Sequence, residues 1–360
     1  MAADYSSLPD EIVEQIFKKT QCIKSIVTCT CVCKSWHALI TTPGSMNMHS
    51  LSPDNNNGIT YYLVLFSRAC IYSMQYYDGR RLKRHYDLVF PHKNFEIVGC
   101  CNGLICYTEF RYIYLWNPAI RKLKVVPDSG LYYDEPVVYG FWFDVNTDDY
   151  KVAKISCTER SKIEVYSLSS NSWDVITTTG PGSDTRVYKF DSVVHVNGTL
   201  YWLICRKGDW NIISFDMKNG TFQENIIENR SDHWSSSRFV LLAAGDNSHF
   251  FFVLRFKSFS YRICNVWVYE KISNKPYMTE FKVCKGEQLP IGVKNNSHHE
   301  VLFQSGDGYG APISVSNHRD SEFRRFSLLT RTIDRIRPFT ETLVLLNDRD
   351  SSSTTNTQEA

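Results

Sequence analysis

No stretch of this 360-residue chain approaches twenty uninterrupted apolar residues, so no membrane-spanning helix is expected. A long apolar leader is missing too. The first twenty residues carry Asp4, Asp10, Glu11 and Glu14, and no secretory signal is expected. Net charge is nearly absent: 40 Lys and Arg stand against 38 Asp and Glu, a balance of +2. That argues against a general nucleic-acid-binding surface. There is no Gly-x-Ser-x-Gly nucleophile elbow and no Gly-x-x-x-x-Gly-Lys phosphate loop. Gly306-Asp307-Gly308-Tyr309-Gly310 has no strand-to-helix pattern around it and reads as a tight turn. His298-His299 has no carboxylate partner in view and reads as exposed loop. No catalytic residue and no cofactor are therefore expected. The expected compartment is the cytoplasm or the nucleus, with the 12 cysteines reduced.

Those cysteines raise the question of zinc. Cys29, Cys31 and Cys33 fall on what the pattern reads as helix, where residues two apart point about 200° away from each other. Cys33 and His37 share a face, but two ligands are too few for a structural site. Cys100 and Cys101 are adjacent in a strand and face opposite ways. Small buried hydrophobes is the reading, and no metal is expected.

What is present divides at about residue 45. Before it, the spacing is helical. Pro9 suits a first helical turn, and Asp10 and Glu11 suit its dipole. Ile12, Val13, Ile16 and Phe17 make one apolar stripe. A second run holds Ile23, Ile26 and Val27, and a third holds Val32, Trp36, Leu39 and Ile40 before Pro43-Gly44. Three helices this short bury too little to stand alone, so their apolar faces need a partner in this chain or in another. By pattern alone they also read as a small cap on the remainder of the chain.

Turn and linker chemistry fills residues 46–58. Beyond it, 21 Tyr, 21 Phe and 8 Trp in the chain favour strands. Apolar strands ending in an aromatic recur with a polar turn and a second strand behind them. The anchors are Tyr72, Trp116, Tyr166, Phe215, Tyr269 and Phe326, about 50 residues apart. Residues 59–346 thus divide into six units of about 48. Val98 to Ile105 resembles Val193 to Trp202, each around an Asn-Gly hairpin signal. The pattern fits a closed propeller, which hides strand edges, or a β-sandwich of hairpins. The polar tail 347–360 is expected to be disordered.

Leu8-Pro9-Asp10-Glu11-Ile12-Val13, Lys24-Ser25-Ile26, Cys31-Val32-Cys33-Lys34-Ser35-Trp36 and Leu39-Ile40 resemble an F-box. Cys101-Asn102-Gly103-Leu104, Leu115-Trp116-Asn117-Pro118, Asp148-Asp149-Tyr150-Lys151-Val152 and Val165-Tyr166-Ser167-Leu168 resemble the plant F-box-associated, kelch-like β domain. One segment departs from the family: Thr20-Gln21-Cys22-Ile23 replaces the usual Leu-Pro, and Thr28 and Thr30 follow where an arginine is usual. That bears on the tightness of partner binding, not on the kind of module.

The resemblance implies an F-box at 1–45 followed by a β-propeller of about six blades at 59–346. It implies a non-catalytic subunit of a Skp–cullin–F-box ubiquitin ligase, with the F-box docking a Skp-type adaptor and the β domain recruiting a target protein. The implied adaptor-binding residues are Leu8, Pro9, Ile12, Ile16, Val32 and Trp36. The pathway stays open among pollen recognition, defence and hormone signalling. The rival reading is a propeller enzyme or glycan-binding module with a helical cap. For the target, the repeat register points to the connections 127–136, 177–188, 228–238 and 285–300. They hold Tyr132, Tyr133, Arg186, His233 and Trp234, residue types found at interface hot spots.

Overall fold

The computed structural model describes residues 9–20, 23–42, 60–66, 71–77, 82–130, 137–156, 162–177, 194–196, 198–206, 209–226, 239–243, 251–256, 263–268, 277–282, 288–293, 301–305, 312–316, 324–328, 333–346 and 352–353.

Three helices come first: α1 (Asp10–Lys19), α2 (Ile23–Cys29) and α3 (Lys34–Ile40). The Pro9 carbonyl opens α1 by accepting from the amides of Ile12 and Val13 at 3.0 and 3.2 Å. Threonines close the helices. Thr20 Oγ1 donates to the Ile16 carbonyl, Thr30 Oγ1 to Val27 and Thr41 Oγ1 to His37. One expectation is corrected here. Cys31 and Val32 lie in a turn, and Cys33 is the N-cap of α3, its Sγ accepting from the Trp36 amide at 3.4 Å. A thiol can stand in for the usual capping hydroxyl, so the third helix begins two residues later than the apolar spacing suggests. The helical-geometry argument against zinc thus does not apply to Cys31 and Cys33. Among the described residues, no group of three or more His, Cys, Asp or Glu is placed to hold a metal ion.

The strands come in sets of four. β1 (Thr60–Phe66), β2 (Ile71–Tyr77) and β3 (Leu82–Leu88) begin the first sheet, and β4 (Glu96–Cys101), β5 (Leu104–Glu109), β6 (Tyr112–Asn117) and β7 (Lys122–Val125) form the second. β8 (Val137–Asp144), β9 (Asp149–Ser156), β10 (Lys162–Ser167) and β11 (Ser172–Thr177) form the third. β12 (Val194–Val196), β13 (Thr199–Arg206), β14 (Asp209–Asp216) and β15 (Thr221–Ile226) form the fourth. β16 (Phe239–Ala243), β17 (Phe251–Phe256), β18 (Ile263–Val268) and β19 (Tyr277–Lys282) form the fifth. β20 (Gln288–Val293), β21 (Val301–Ser305), β22 (Pro312–Ser316) and β23 (Arg324–Leu328) form the sixth. β24 (Ile333–Phe339) then returns to the first sheet, beside β1. Within the tail expected to be disordered, β25 (Ser352–Ser353) pairs with β7.

The repeat is visible in the register. Trp116 pairs with Leu123, Tyr166 with Trp173 and Phe215 with Phe222, each anchor meeting the residue seven positions on. The paired strands are joined by a four-residue turn whose last residue has positive φ: Arg121 at 55°, Asn171 at 52° and Gly220 at 63°. The side chain that closes the third strand caps the turn in every case. Asn117 accepts from the Ala119 amide, Ser167 from Ser170, and Asp216 from Lys218 and Asn219. The expected likeness of the two Asn-Gly hairpins also holds, since both join the first and second strands of their sheets. Asn102 and Gly103 at φ 41° and 84° make the first of these turns.

The sixth unit is not as expected. Phe326 lies on β23, the fourth strand of its sheet, and Ile333 to Ile336 lie in another sheet on β24. The third strand there, β22, reads Pro-Ile-Ser-Val-Ser and has no aromatic, so aromatic spacing steps to the next strand.

The chain divides into two compact units. One comprises Met1–Ile59, Phe90–Val126 and Phe339–Ala360; the other comprises Thr60–Val89 and Pro127–Pro338. Inside the second, the third and fourth sheets pack through Trp142, Ile155, Ile163, Leu200, Trp202 and Phe215. His195 belongs to this packing. Its ring stacks on Trp142 at 5.1 Å, and Nε2 accepts from the Gly198 amide at 3.0 Å. Burial pushes its pKa down to about 4, against a smaller upward pull from Asp144.

The folded chain thus binds fewer protons at His195 than the unfolded chain does. Stability from this residue is complete above about pH 6.5 and falls as pH drops toward 4, by up to about 3 kcal/mol. Denaturant melts of wild type and His195→Gln at pH 7, 5.5 and 4 check it: the wild type should lose more stability on acidification. Parallel curves would remove His195 as the cause.

Candidate functional site

The three helices meet in one small core. Val13, Phe17, Ile23, Ile26 and Ile40 are buried there, together with Leu343 from the closing segment. Ala119, Ile120 and Leu346 pack against the same cluster. Trp36 is half-buried and meets Phe17 edge to face, ring centroids 5.2 Å apart. Ser35 Oγ donates to Asp10 Oδ1 at 3.2 Å, tying the start of α3 to the start of α1.

This core uses only half of the α1 stripe. Val13 and Phe17, four residues apart, turn inward. Ile12 and Ile16, also four apart and about 100° round the helix, stay 43 % and 49 % exposed. Pro9 is exposed and continues the outer row at helical spacing. Val32, in the turn before α3, is 58 % exposed. The structure therefore brings Pro9, Ile12 and Ile16 into one outward row, leaves Val32 outward beside α3, and sets Trp36 against Phe17. Leu8 lies outside the described residues. The outward row is thus two isoleucines and a proline left exposed beside a row that is buried in the helical core.

Tyr132, Tyr133, Arg186, His233 and Trp234 all lie outside the described residues. The connection expected at 285–300 is not a single loop, because it contains β20. Residue spacing had no anchor there, since β20 has no aromatic.

One exposed group does not stand out in the sequence. Phe110 occupies the first position of the two-residue turn between β5 and β6, at φ 55° and 87 % exposed, followed by exposed Arg111 and Tyr112. A left-handed backbone is costly for a non-glycine residue. The signal in the sequence is an aromatic where a two-residue hairpin turn favours Asn or Gly. Behind it the sheet is rigidly filled: Tyr107 stacks on Tyr114 at 5.1 Å, and His92 Nδ1 lies 2.8 Å from the Tyr107 hydroxyl. Burial, with Tyr114 and Glu109 nearby, raises the Tyr107 pKa, and burial pushes the Cys106 thiol up. Neither is poised as a nucleophile or base near neutrality.

The comparisons with known proteins fall on both parts of the chain. Residues 62–303 match the family described as F-box associated beta propeller domain, and residues 5–46 match the one described as F-box-like. Three Arabidopsis thaliana proteins are similar. An F-box/kelch-repeat protein is 32 % identical over 61 % of this chain and 65 % of its own length. One F-box protein is 28 % identical over 61 % and 60 %, and another 26 % over 75 % and 71 %. This chain thus spans less than two thirds of the first two relatives.

The division of α1 gives a stability test. Phe17→Ala should cost about 3–5 kcal/mol, because it empties the helical core. Ile12→Ser with Ile16→Ser should stay within about 0.5 kcal/mol per site. Hydrogen exchange of the α1 amides resolves the two, and equal effects would mean that the outer row is not free.

Proposed function

The chain belongs to the F-box associated beta propeller family and carries an F-box-like module, and from that premise we propose that it is the target-recruiting subunit of a Skp–cullin–F-box ubiquitin ligase. The observation that carries the reading is the outward row Pro9, Ile12 and Ile16 on a helix already anchored through Val13 and Phe17. A Skp-type adaptor would cover that row together with Val32, and a cullin would be reached through it. Trp36 supports the surface from beneath, by holding Phe17.

The β domain would hold the target. Ubiquitin transfer would be the work of the partners, and this chain would act by effective concentration, turning a bimolecular encounter into a nearly unimolecular one. No catalytic residue is assigned to it. The reading puts the protein in the cytoplasm or nucleus, where such ligases meet their targets.

Adaptor docking is tested with the full chain. Ile12→Asp with Ile16→Asp should weaken binding of a recombinant Skp-type adaptor by about 2–4 kcal/mol in calorimetry, with the melting temperature nearly unchanged. Deletion of residues 1–45 should abolish it. Normal adaptor binding by the deleted chain would sink the reading.

Target capture has a separate test. Replacing Tyr132, Tyr133, His233 and Trp234 together by Ala should lower recovery of captured targets while melting and adaptor binding hold. A large fall in melting temperature would make these residues structural. Unchanged capture would move the site elsewhere, with the Phe110–Tyr112 turn next in line.

A further inference from the structure

We propose that the adaptor-docking helices are held in place by a clasp made from the chain's own closing segment, Thr340–Leu346, and the β6–β7 turn, with Asn117 and Leu343 as positioning residues. The inference rests on the docking reading above and adds that docking depends on residues some 300 positions from the helices.

The repeat itself marks the specialisation. Asn117, Ser167 and Asp216 occupy one equivalent place, the last residue of the third strand, and each caps its turn with an oxygen. A carboxylate is enough for that, as Asp216 demonstrates. Asn117 does more. Its Nδ2 donates to the carbonyls of Thr342 at 2.9 Å and Val344 at 2.8 Å, and the side chain is fully buried. Of the three residue types, only an amide can accept with its oxygen and donate two protons at once. The next residues diverge in the same direction. Ser169, Ser170, Lys218 and Asn219 are exposed in the other two turns. Here Pro118 is buried, and Ala119 and Ile120 pack on the helical core.

The segment is fixed from its other sides as well. Gly103 leaves no room for a Cβ, which would collide with the Thr342 side chain and the Thr340 carbonyl. Leu345 adopts φ 74°, a left-handed conformation that leucine avoids, and the Leu346 amide bonds back to the Leu343 carbonyl at 3.0 Å. A turn so costly locally persists only where the surroundings impose it. The result is Leu343, with no exposed surface, seated among Val13, Phe17, Ile23, Ile26 and Ile40. Val13 and Phe17 rest on this core, so it sets the rotation of α1 and thereby the outward direction of Ile12 and Ile16. Three helices this short cannot fix that rotation by themselves.

Two variants of the full chain test the clasp. Asn117→Asp keeps the turn cap but removes both donors; Leu343→Ala removes the apolar seat. Adaptor affinity should fall about tenfold or more in each. Hydrogen exchange should quicken in α1 and α3, with exchange in the third and fourth sheets unchanged. Leu343→Met should restore affinity, and Asp216→Asn, in the equivalent turn, should leave it as in wild type. Affinity within about twofold of wild type, with α1 protection intact, overturns the proposal. So does a loss of protection spread evenly through all sheets, which would make the two residues generally structural. If wild type itself fails to bind the adaptor, the docking reading falls, and the exchange rates in α1 and α3 alone decide for or against the clasp.

Discussion

A buried amide, Asn117, bonds to the chain 225 and 227 positions later, and much of the structure depends on that return being made. Left unmade, it would strand a buried polar group at a cost of about 1–3 kcal/mol. It would also leave the helical core without Leu343. The same stretch of chain completes a second task just before this one, when β24 joins the first sheet beside β1. Residues 333–346 therefore finish two cores, neither of which can be closed by local sequence. Contacts this distant come late in folding, because loop closure must precede any gain from them. The N-terminal helices are accordingly helices by local preference and a module only by long-range closure.

That distinction explains what could be read in advance. The helical periods, the strand periods and the recurrence of aromatic anchors are local, and they gave three helices and a repeat of the right length. The Asn102-Gly103 hairpin was legible because type I′ turns demand positive φ at both central residues. The start of α3 was not, since apolar spacing carries Val32 into the helix while Cys33 acts as its cap. The sixth unit slipped by one strand because β22 has no aromatic. The role of Asn117 was invisible in principle. Its turn-capping oxygen is a local pattern, but its two donors answer carbonyls of residues no periodicity connects to it. The split of α1 was equally hidden. Ile12, Val13, Ile16 and Phe17 are chemically alike, and only the position of the core says which pair is outside.

Buried charge in the third sheet follows a stricter rule than apolar packing. Asp149 is buried, which alone would raise its pKa. Hydrogen bonds from Lys151, from Ser167 and from the amide and hydroxyl of Ser169 outweigh burial and hold it below the usual carboxylate range. Glu164, fully buried one strand over, faces Lys154 at 3.1 Å, and Lys154 also donates to Ser129 Oγ at 2.9 Å. Such pairs add little net stability but punish the loss of one partner. They fix register instead: Glu164 and Lys154 are direct cross-strand neighbours, and a one-residue slip would separate them. Asp149 and Lys151 of the motif Asp148-Asp149-Tyr150-Lys151-Val152 thus have a structural reason: Asp149 holds the β10–β11 turn closed from inside, with Lys151 as its counter-ion.

On the proposed docking reading, one amphipathic helix of the helical module serves folding and recognition together. A helix with a single narrow stripe must spend it on its own core or on a partner. Widening the stripe by one residue on each turn gives two rows about 100° apart. In α1 the inner row binds Leu343 and the α2 and α3 residues, so the outer row is presented at a fixed angle. Preorganisation of this kind lowers the entropy that a partner must overcome on binding. Threonines at the ends of the helices add to it by satisfying carbonyls that would otherwise fray. Thr20 and Thr30, which depart from the usual F-box pattern, are two of these closers. The departure therefore exchanges a family residue for a local cap, and at Thr20 that cap bonds the carbonyl of Ile16, at the C-terminal end of the outward row.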